Sequence, residues 1–209
     1  MESFVHCHNR LLANLIGPDE LNEALSRSRQ VDEYKHNVHD HLLSDLKGFQ
    51  QLIDLGIMHN QITFINYSEN AIKQWNIGNY VYPHMDGIKE LHPYHVSLVI
   101  PMERYKHSMI RWFKGFDEEE HFETLRTGRF MKNFDDYQKC ELVDLYNFSD
   151  DRAVIFRVDV WHDVIIPFSG RVVMRWLFKQ NFTWEQAIQA LDNYLDSSGR
   201  RADTNLLVD

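Results

Sequence analysis

The sequence reads as a mainly β chain with flanking helices, and three observations carry that reading. The apolar periodicity changes near residue 62, from helical i, i+4 spacing to short β-branched and aromatic runs bounded by turn residues. Between 153 and 178 two further β-rich runs, Ala153 to Ile166 and Arg171 to Phe178, flank the turn Pro167-Phe-Ser-Gly170 and predict a hairpin. Helical spacing returns only after residue 180. At 209 residues the chain fits one domain, since single β-barrels and sandwiches reach this size. Its expected parts are a helical N-terminal support over 1–60, a β core over 61–180, and a C-terminal helix and tail over 181–209.

Within the first part, Pro18-Asp-Glu opens a helix with a proline and two acids in its first turn, and Leu21 and Leu25 stack at i, i+4. A second helix is expected from Asp32 to Leu55, striped by Leu42, Leu46, Phe49 and Ile53 and stopped by Gly56. The strands begin with Ile62 to Tyr67 and Ala71 to Ile77, and Gly78-Asn79 turns the chain into Tyr80 to His84. Tyr94 to Ile100 is the strongest buried-strand run of this half, ended by Pro101. Arg104 to Trp112 reads as another strand. Residues 121–150 carry little pattern and are assigned to a lid. Thr183, with Gln186 three residues on, caps a last helix whose apolar side is Trp184, Ile188, Leu191 and Leu195.

Composition narrows the function. A formal charge of −9 argues against binding to nucleic acid or anionic membranes, because the field of the whole protein repels polyphosphate and acidic headgroups. Two cysteines are too few for a disulfide framework and suit a reducing compartment. No secretory pattern opens the sequence and no apolar run is long enough to span a bilayer, so the expected location is the cytoplasm. Oligomeric state leaves no signature.

Twelve histidines in an acidic chain direct attention to metal chemistry. In Tyr82-Pro-His-Met-Asp-Gly87, His84 and Asp86 stand two apart, so on a strand they project from one face and can converge on a metal ion. The bland reading of that triplet is a hydrogen-bonded surface turn. His162 supplies a third donor, and two histidines with one carboxylate form the facial triad of non-haem iron oxygenases. Arg171, nine residues further on, is placed to hold a co-substrate carboxylate with both arms of its guanidinium. Arg175 shares the face of Arg171 and is assigned, with Tyr82, to the substrate; a rim ion pair and cross-strand packing are the respective alternatives. His95 and Ser97 share a face and could point into the same cavity, although a hydrogen-bonded core histidine is the rival reading. Asp159 and Asp163 are candidates for orienting His162.

The ordered set Pro83-His-Met-Asp86, His95-Val-Ser-Leu-Val-Ile-Pro101, Val154-Ile-Phe156, His162 and Arg171 resembles the aspartyl/asparaginyl β-hydroxylase family. That family includes bacterial proline cis-4-hydroxylase and belongs to the Fe(II)/2-oxoglutarate-dependent dioxygenases. The likeness covers roughly residues 80–178 and leaves the N-terminal part unmatched. It implies a double-stranded β-helix, the jelly roll also seen in cupins. It further implies Fe(II) held by His84, Asp86 and His162, with 2-oxoglutarate bound by Arg171 and His95 and O₂ as oxidant. The implied activity is hydroxylation of an unactivated C–H bond in an amino acid, peptide or small metabolite, with release of succinate and CO₂. Iron halogenases leave the carboxylate position small for chloride, whereas Asp86 fills it here, which favours hydroxylation. The distance from the first motif to His162 exceeds that of compact members. Three rivals stand beside this reading: a non-catalytic cupin-like protein binding metal or a small molecule, a zinc hydrolase using the same three ligands, and a structural protein in which these residues are coincidental.

Overall fold

In the computed structural model, which describes residues 7–10, 15–67, 80–86, 94–114, 122–125, 128–131, 140–149 and 152–197, two antiparallel sheets face one another. The larger sheet holds β1 (His8–Arg10), β2 (Arg29–Gln30), β3 (Lys35–His39), β4 (Met58–Tyr67), β6 (Val96–Glu103), β11 (Val154–Arg157) and β13 (Arg171–Phe178), in the order β1-β11-β6-β13-β4-β3-β2. The smaller sheet holds β5 (Tyr80–Asp86), β7 (Met109–Lys114), β8 (Phe122–Leu125), β9 (Gly128–Met131), β10 (Glu141–Asn147) and β12 (His162–Ile165), in the order β10-β7-β12-β5-β9-β8. Taken along the chain, β4, β5, β6, β7, β10, β11, β12 and β13 fall in the sheets as large, small, large, small, small, large, small, large. This alternation, with orders β11-β6-β13-β4 and β10-β7-β12-β5, is the double-stranded β-helix.

Strand alternation divides the apolar residues into two cores. Ile65, Val99, Ile110, Trp112, Phe156, Val164 and Val173 fill the space between the sheets. On the outer face of the larger sheet, Ile62, Phe64, Leu98, Ile100, Met174 and Trp176 pack against α1 (Pro18–Ser26), α2 (Lys47–Asp54) and α3 (Trp184–Ser197). α3 buries Trp184, Ala187, Leu191 and Leu195 and begins with the expected reciprocal cap. The amide of Thr183 donates to the Gln186 side chain and the amide of Gln186 to the Thr183 hydroxyl. The Glu20 carboxylate accepts from the amides of both Gly17 and Gly48, so one acid serves the starts of α1 and α2. A side chain at Gly48 would collide with that carboxylate at 2.6 Å.

Several elements differ from the sequence reading. The expected helix over 32–55 is instead the hairpin β2–β3, a 3-10 turn Asp40–Leu43 and the short α2. The Asp32 carboxylate accepts the amides of Tyr34 and Lys35, closing the hairpin turn, and pairing of β3 with β4 overrides the helical spacing of its apolar residues. The helical support over 1–60 therefore also contributes strands, including β1. The run Ala153 to Ile166 is broken by a bend at Val158–Val160, which sends β11 and β12 into different sheets. The turn 167–170 is accordingly a crossover between sheets rather than a hairpin. β6 runs through Pro101, which pairs with Val173 where the register shifts. Residues 104–108 are a turn, with the strand starting at Met109. Within the segment assigned to a lid, β8, β9 and β10 belong to the smaller sheet, and 132–139 lie outside the described residues. The expected strand at 71–77 and the tail beyond 197 also lie outside them. Among the described residues no helix is long and apolar enough to cross a membrane.

Gly56 follows α2 with φ +66 and nothing within 4 Å of where a side-chain methyl would sit. Its amide bonds back to the Ile53 carbonyl. The cost of a substitution there is thus the backbone term alone. Gly56→Ala should lower the free energy of unfolding by about 1–2 kcal/mol without altering the denaturant slope. An unchanged urea midpoint would show that the left-handed conformation is not held in solution.

Candidate active site

The site is assembled by the pairing of β5 with β12, which sets His84 directly opposite His162 in the smaller sheet. Their rings lie 4.4 Å apart between centroids. Asp86, two residues along the same strand face, brings Oδ2 to 3.8 Å from Nε2 of His162. One ligand atom from each of His84, Asp86 and His162 falls within 4.8 Å of the others, and this is the metal-capable cluster found among the described residues.

The bend at Val158–Val160 orients the ligands on both sides of it. The Val160 carbonyl faces Nδ1 of His162 at 2.8 Å, and because a carbonyl can only accept, Nδ1 carries the proton and Nε2 presents its lone pair to the cluster. The Val158 carbonyl accepts the backbone amide of Asp86. Between them, Asp159 accepts from Arg157 and from Nδ1 of His95. Burial pushes the Asp159 carboxyl up, but the guanidinium of Arg157 and the ring of His95 outweigh it and hold it below the usual range. His162 is thus oriented by a backbone carbonyl rather than by Asp159 or Asp163. Asp163 points elsewhere and takes a two-point ion pair from Arg111.

Arg175 extends from β13 across to the smaller sheet and pairs with Asp86 at 2.8 Å between Nη2 and Oδ2. The ion-pair reading of Arg175 is therefore the one observed, with a candidate ligand as the partner. Burial pushes the Asp86 carboxyl up, yet Arg175, His84, His162 and Lys35 together bring it below its ordinary value. His162 is pushed down to about 4 by burial first and by neighbouring His84 second, so its ring is neutral near pH 7.

A cavity of about 60 Å³ joins His84, Asp86, His162 and Arg175 to Arg171 at its other end, between walls of Ile65, Val99, Val164 and Val173. Arg171 is 2% exposed. Its Nε donates to the Ser108 hydroxyl, which in turn donates to the Tyr105 carbonyl. Its guanidinium also lies over the Tyr67 and Phe148 rings, 5.2 and 4.7 Å from their centroids. Among the described residues no carboxylate faces it. Burying a cation without a counter-charge costs several kcal/mol, and an anion entering the cavity would relieve that cost. The Ser97 hydroxyl lines the same cavity, buried and without a hydrogen-bond partner.

Two other sequence candidates stand apart. His95 is bonded to Asp159 and is not among the residues lining the cavity. Tyr82 lies in β5, but its side chain falls outside the described residues. Sequence reasoning missed Tyr67, Ser108 and Lys35. Tyr67 had a signal, since it ends a predicted strand on the face that β13 would share, whereas Lys35 sat in a predicted helix. A larger depression of about 430 Å³, lined by Arg104, Tyr105, Lys106, His107 and Phe168, contains none of the converging acids and histidines.

No protein-family model matches the chain, and no curated protein matches it. Among solved structures it is similar to a Pseudomonas putida prolyl-4-hydroxylase, at 14% identity over 85% of this chain and 95% of that one, with a TM-score of 0.43. It is also similar to an oxidoreductase of the 2OG-Fe(II) oxygenase family from Burkholderia pseudomallei, at 8% identity over 81% and 80% of the two chains and a TM-score of 0.42. A third is Escherichia coli ycfD, at 12% identity and a TM-score of 0.41, where all of this chain spans 59% of that one. The assignment of the fold rests on the strand order and needs none of these likenesses.

The depressed proton affinity of His162 has a consequence for stability. The folded chain binds this proton less readily than the unfolded chain, whose imidazole titrates near 6.5. The contribution is therefore intact above about pH 6.5 and lost as pH falls towards 4, by on the order of 3 kcal/mol in metal-free protein. Asp86 is held low and adds nothing until below 3.8. His59 shifts in the same direction because burial lowers it too, so the control is His162→Gln. Urea midpoints at pH 7.0 and 4.5 should converge in that variant relative to wild type. An equal drop in both proteins would contradict the assignment.

Proposed function

We propose that the protein is an Fe(II)- and 2-oxoglutarate-dependent oxygenase that hydroxylates a C–H bond of an amino acid, peptide or small metabolite. What supports this reading is a buried guanidinium with no carboxylate partner among the described residues, lining the same narrow cavity as a His-Asp-His cluster. The donor set fits iron: two neutral imidazoles and a carboxylate on one side of a cavity, with the remaining directions open to it. Arg171 fits the distal carboxylate of a 2-oxo diacid, which would supply the anion that the fold lacks.

In this reading His84, Asp86 and His162 hold the metal. Bound iron with 2-oxoglutarate and O₂ supplies the oxidation: the oxo acid leaves as succinate and CO₂, and the second oxygen atom is inserted into the substrate C–H bond. The chain positions and shields. The Val160 carbonyl keeps the His162 proton on Nδ1, so Nε2 is the ligand atom. Arg175 holds Asp86 through Oδ2, the same oxygen that lies 3.8 Å from Nε2 of His162, and so fixes the carboxylate beside the two imidazoles. Tyr67 and Ser108 fix the plane of the Arg171 guanidinium, and Ile65, Val99, Val164 and Val173 keep bulk water from the space between. His95 acts one step back, through Asp159 and the bend that carries the Val158 and Val160 carbonyls.

Anaerobic addition of 2-oxoglutarate to Fe(II)-loaded protein should produce a visible metal-to-ligand charge-transfer band. Asp86→Ala should abolish the band. Arg171→Met should weaken 2-oxoglutarate binding by about 10- to 100-fold, the loss expected for charge-assisted hydrogen bonds to one carboxylate. A folded, iron-loaded wild type with no band would leave a metal-binding protein without turnover. Asp159→Asn should lower Fe(II) affinity by about 10-fold while preserving the fold, because the bend loses the carboxylate that pins it. Unchanged iron affinity in that variant would mean that the backbone carbonyls keep their places without it.

A further inference from the structure

The hairpin β2–β3 adds a cation to the sheet face that carries Arg171 and Arg175, although Lys35 is not itself among the residues lining the cavity. In the larger sheet Lys35 of β3 pairs with Ile65 of β4, and Ile65 pairs with Val173 of β13. Directly opposed residues share a face. Lys35 therefore projects from the same face as Ile65 and Val173, two walls of the cavity, and as Arg171 and Arg175 at even spacing along β13. It is half-buried. Its ammonium lies over the Tyr34 ring, 4.9 Å from the centroid, and no carboxylate within ion-pairing distance is found for it among the described residues. Tyr34 in turn packs against the core between the sheets.

Charge bookkeeping around the metal cluster sharpens the point. Arg175 is spent on Asp86, and Arg171 sits at the far end of the cavity. Among the described residues of this face, Lys35 is a cation that no ion pair neutralises and that Asp86 only partly offsets from a distance. Burial lowers its proton affinity, and Arg175 lowers it further, while Asp32 and Asp86 only partly compensate. A desolvated ammonium beside a second cation is held at a cost that an incoming anion would relieve.

We propose that Lys35 is the substrate-recognition residue of this site and that the substrate presents a carboxylate to it, next to the carbon that reacts. The inference rests on the oxygenase reading above and deepens it by naming the substrate class. It reassigns the role that sequence reasoning gave to Arg175: that guanidinium holds Asp86, and the substrate anion goes to the lysine on the neighbouring strand.

The test uses matched probes. N-acetyl amino acids and their C-terminal carboxamides, covering acidic, apolar and imino side chains, are titrated calorimetrically into full-length protein loaded with Zn(II) and 2-oxoglutarate. Binding of 2-oxoglutarate is measured first as a separate titration. At least one carboxylate should bind, at least about 10-fold more tightly than its carboxamide. Lys35→Met should erase that difference and Lys35→Arg should retain it, with 2-oxoglutarate affinity unchanged in both. Equal binding of acid and amide, no binding of any acid at 10 mM (roughly the weak limit of a single charged contact), or a preference that survives in Lys35→Met would each overturn the assignment while leaving the oxygenase reading intact. Failure of wild-type protein to bind 2-oxoglutarate would overturn both.

Discussion

The register between β5 and β12 is the constraint on which the site depends. A strand has a side-chain period of two, so a slip of one residue would turn His162 away from His84 and dissolve the cluster. The register is guarded from both sides. β12 also pairs with β7, where His162 stands opposite the fully buried Trp112, whose indole donates to the Arg157 carbonyl just before the bend. Val164, on the same face as His162, is committed to the core between the sheets. Sliding β12 would expose Val164 and strand the indole, so the packing that makes the sandwich also places the imidazoles.

The second organising element is the bend at Val158–Val160. Two of its carbonyls are used by residues of the cluster, and its central carboxylate is shared between Arg157 and His95. This gives His95 a place in the account that differs from direct contact with a co-substrate. The same geometry explains why a β-rich run of fourteen residues does not form one strand. Polar Asp159 at its centre finds two cationic or hydrogen-bonding partners only if the chain turns there.

Much of the β core was legible because its signals are local. Alternating apolar runs located β4, β5, β6 and β13, the i, i+2 spacing placed His84 and Asp86 on one face, and the Thr183–Gln186 pair gave the start of α3. What could not be read depended on partners far along the chain. Lys35–His39 has no strand signal of its own and becomes a strand because β4 offers an edge. An ion pair was one of the two readings open for Arg175, but its partner could not be named, because Asp86 is 89 residues away in sequence and across the sandwich in space. That no carboxylate of the described residues lies against Arg171 is likewise a property of the assembled interior. Spacing could nominate that residue, and only burial without a counter-charge distinguishes it from an ordinary surface arginine.

The strand β1 closes the edge of the larger sheet by pairing His8, Asn9 and Arg10 with Phe156, Ile155 and Val154, residues about 150 positions later in the chain. In folding, β1 can dock only once β11 is seated on β6, because before that there is no strand edge for it to pair with. Until then the nascent sandwich carries a bare apolar strand as its margin, open to pairing with a neighbouring chain. Refolding at high chain concentration is therefore the condition in which this margin is most open to intermolecular pairing.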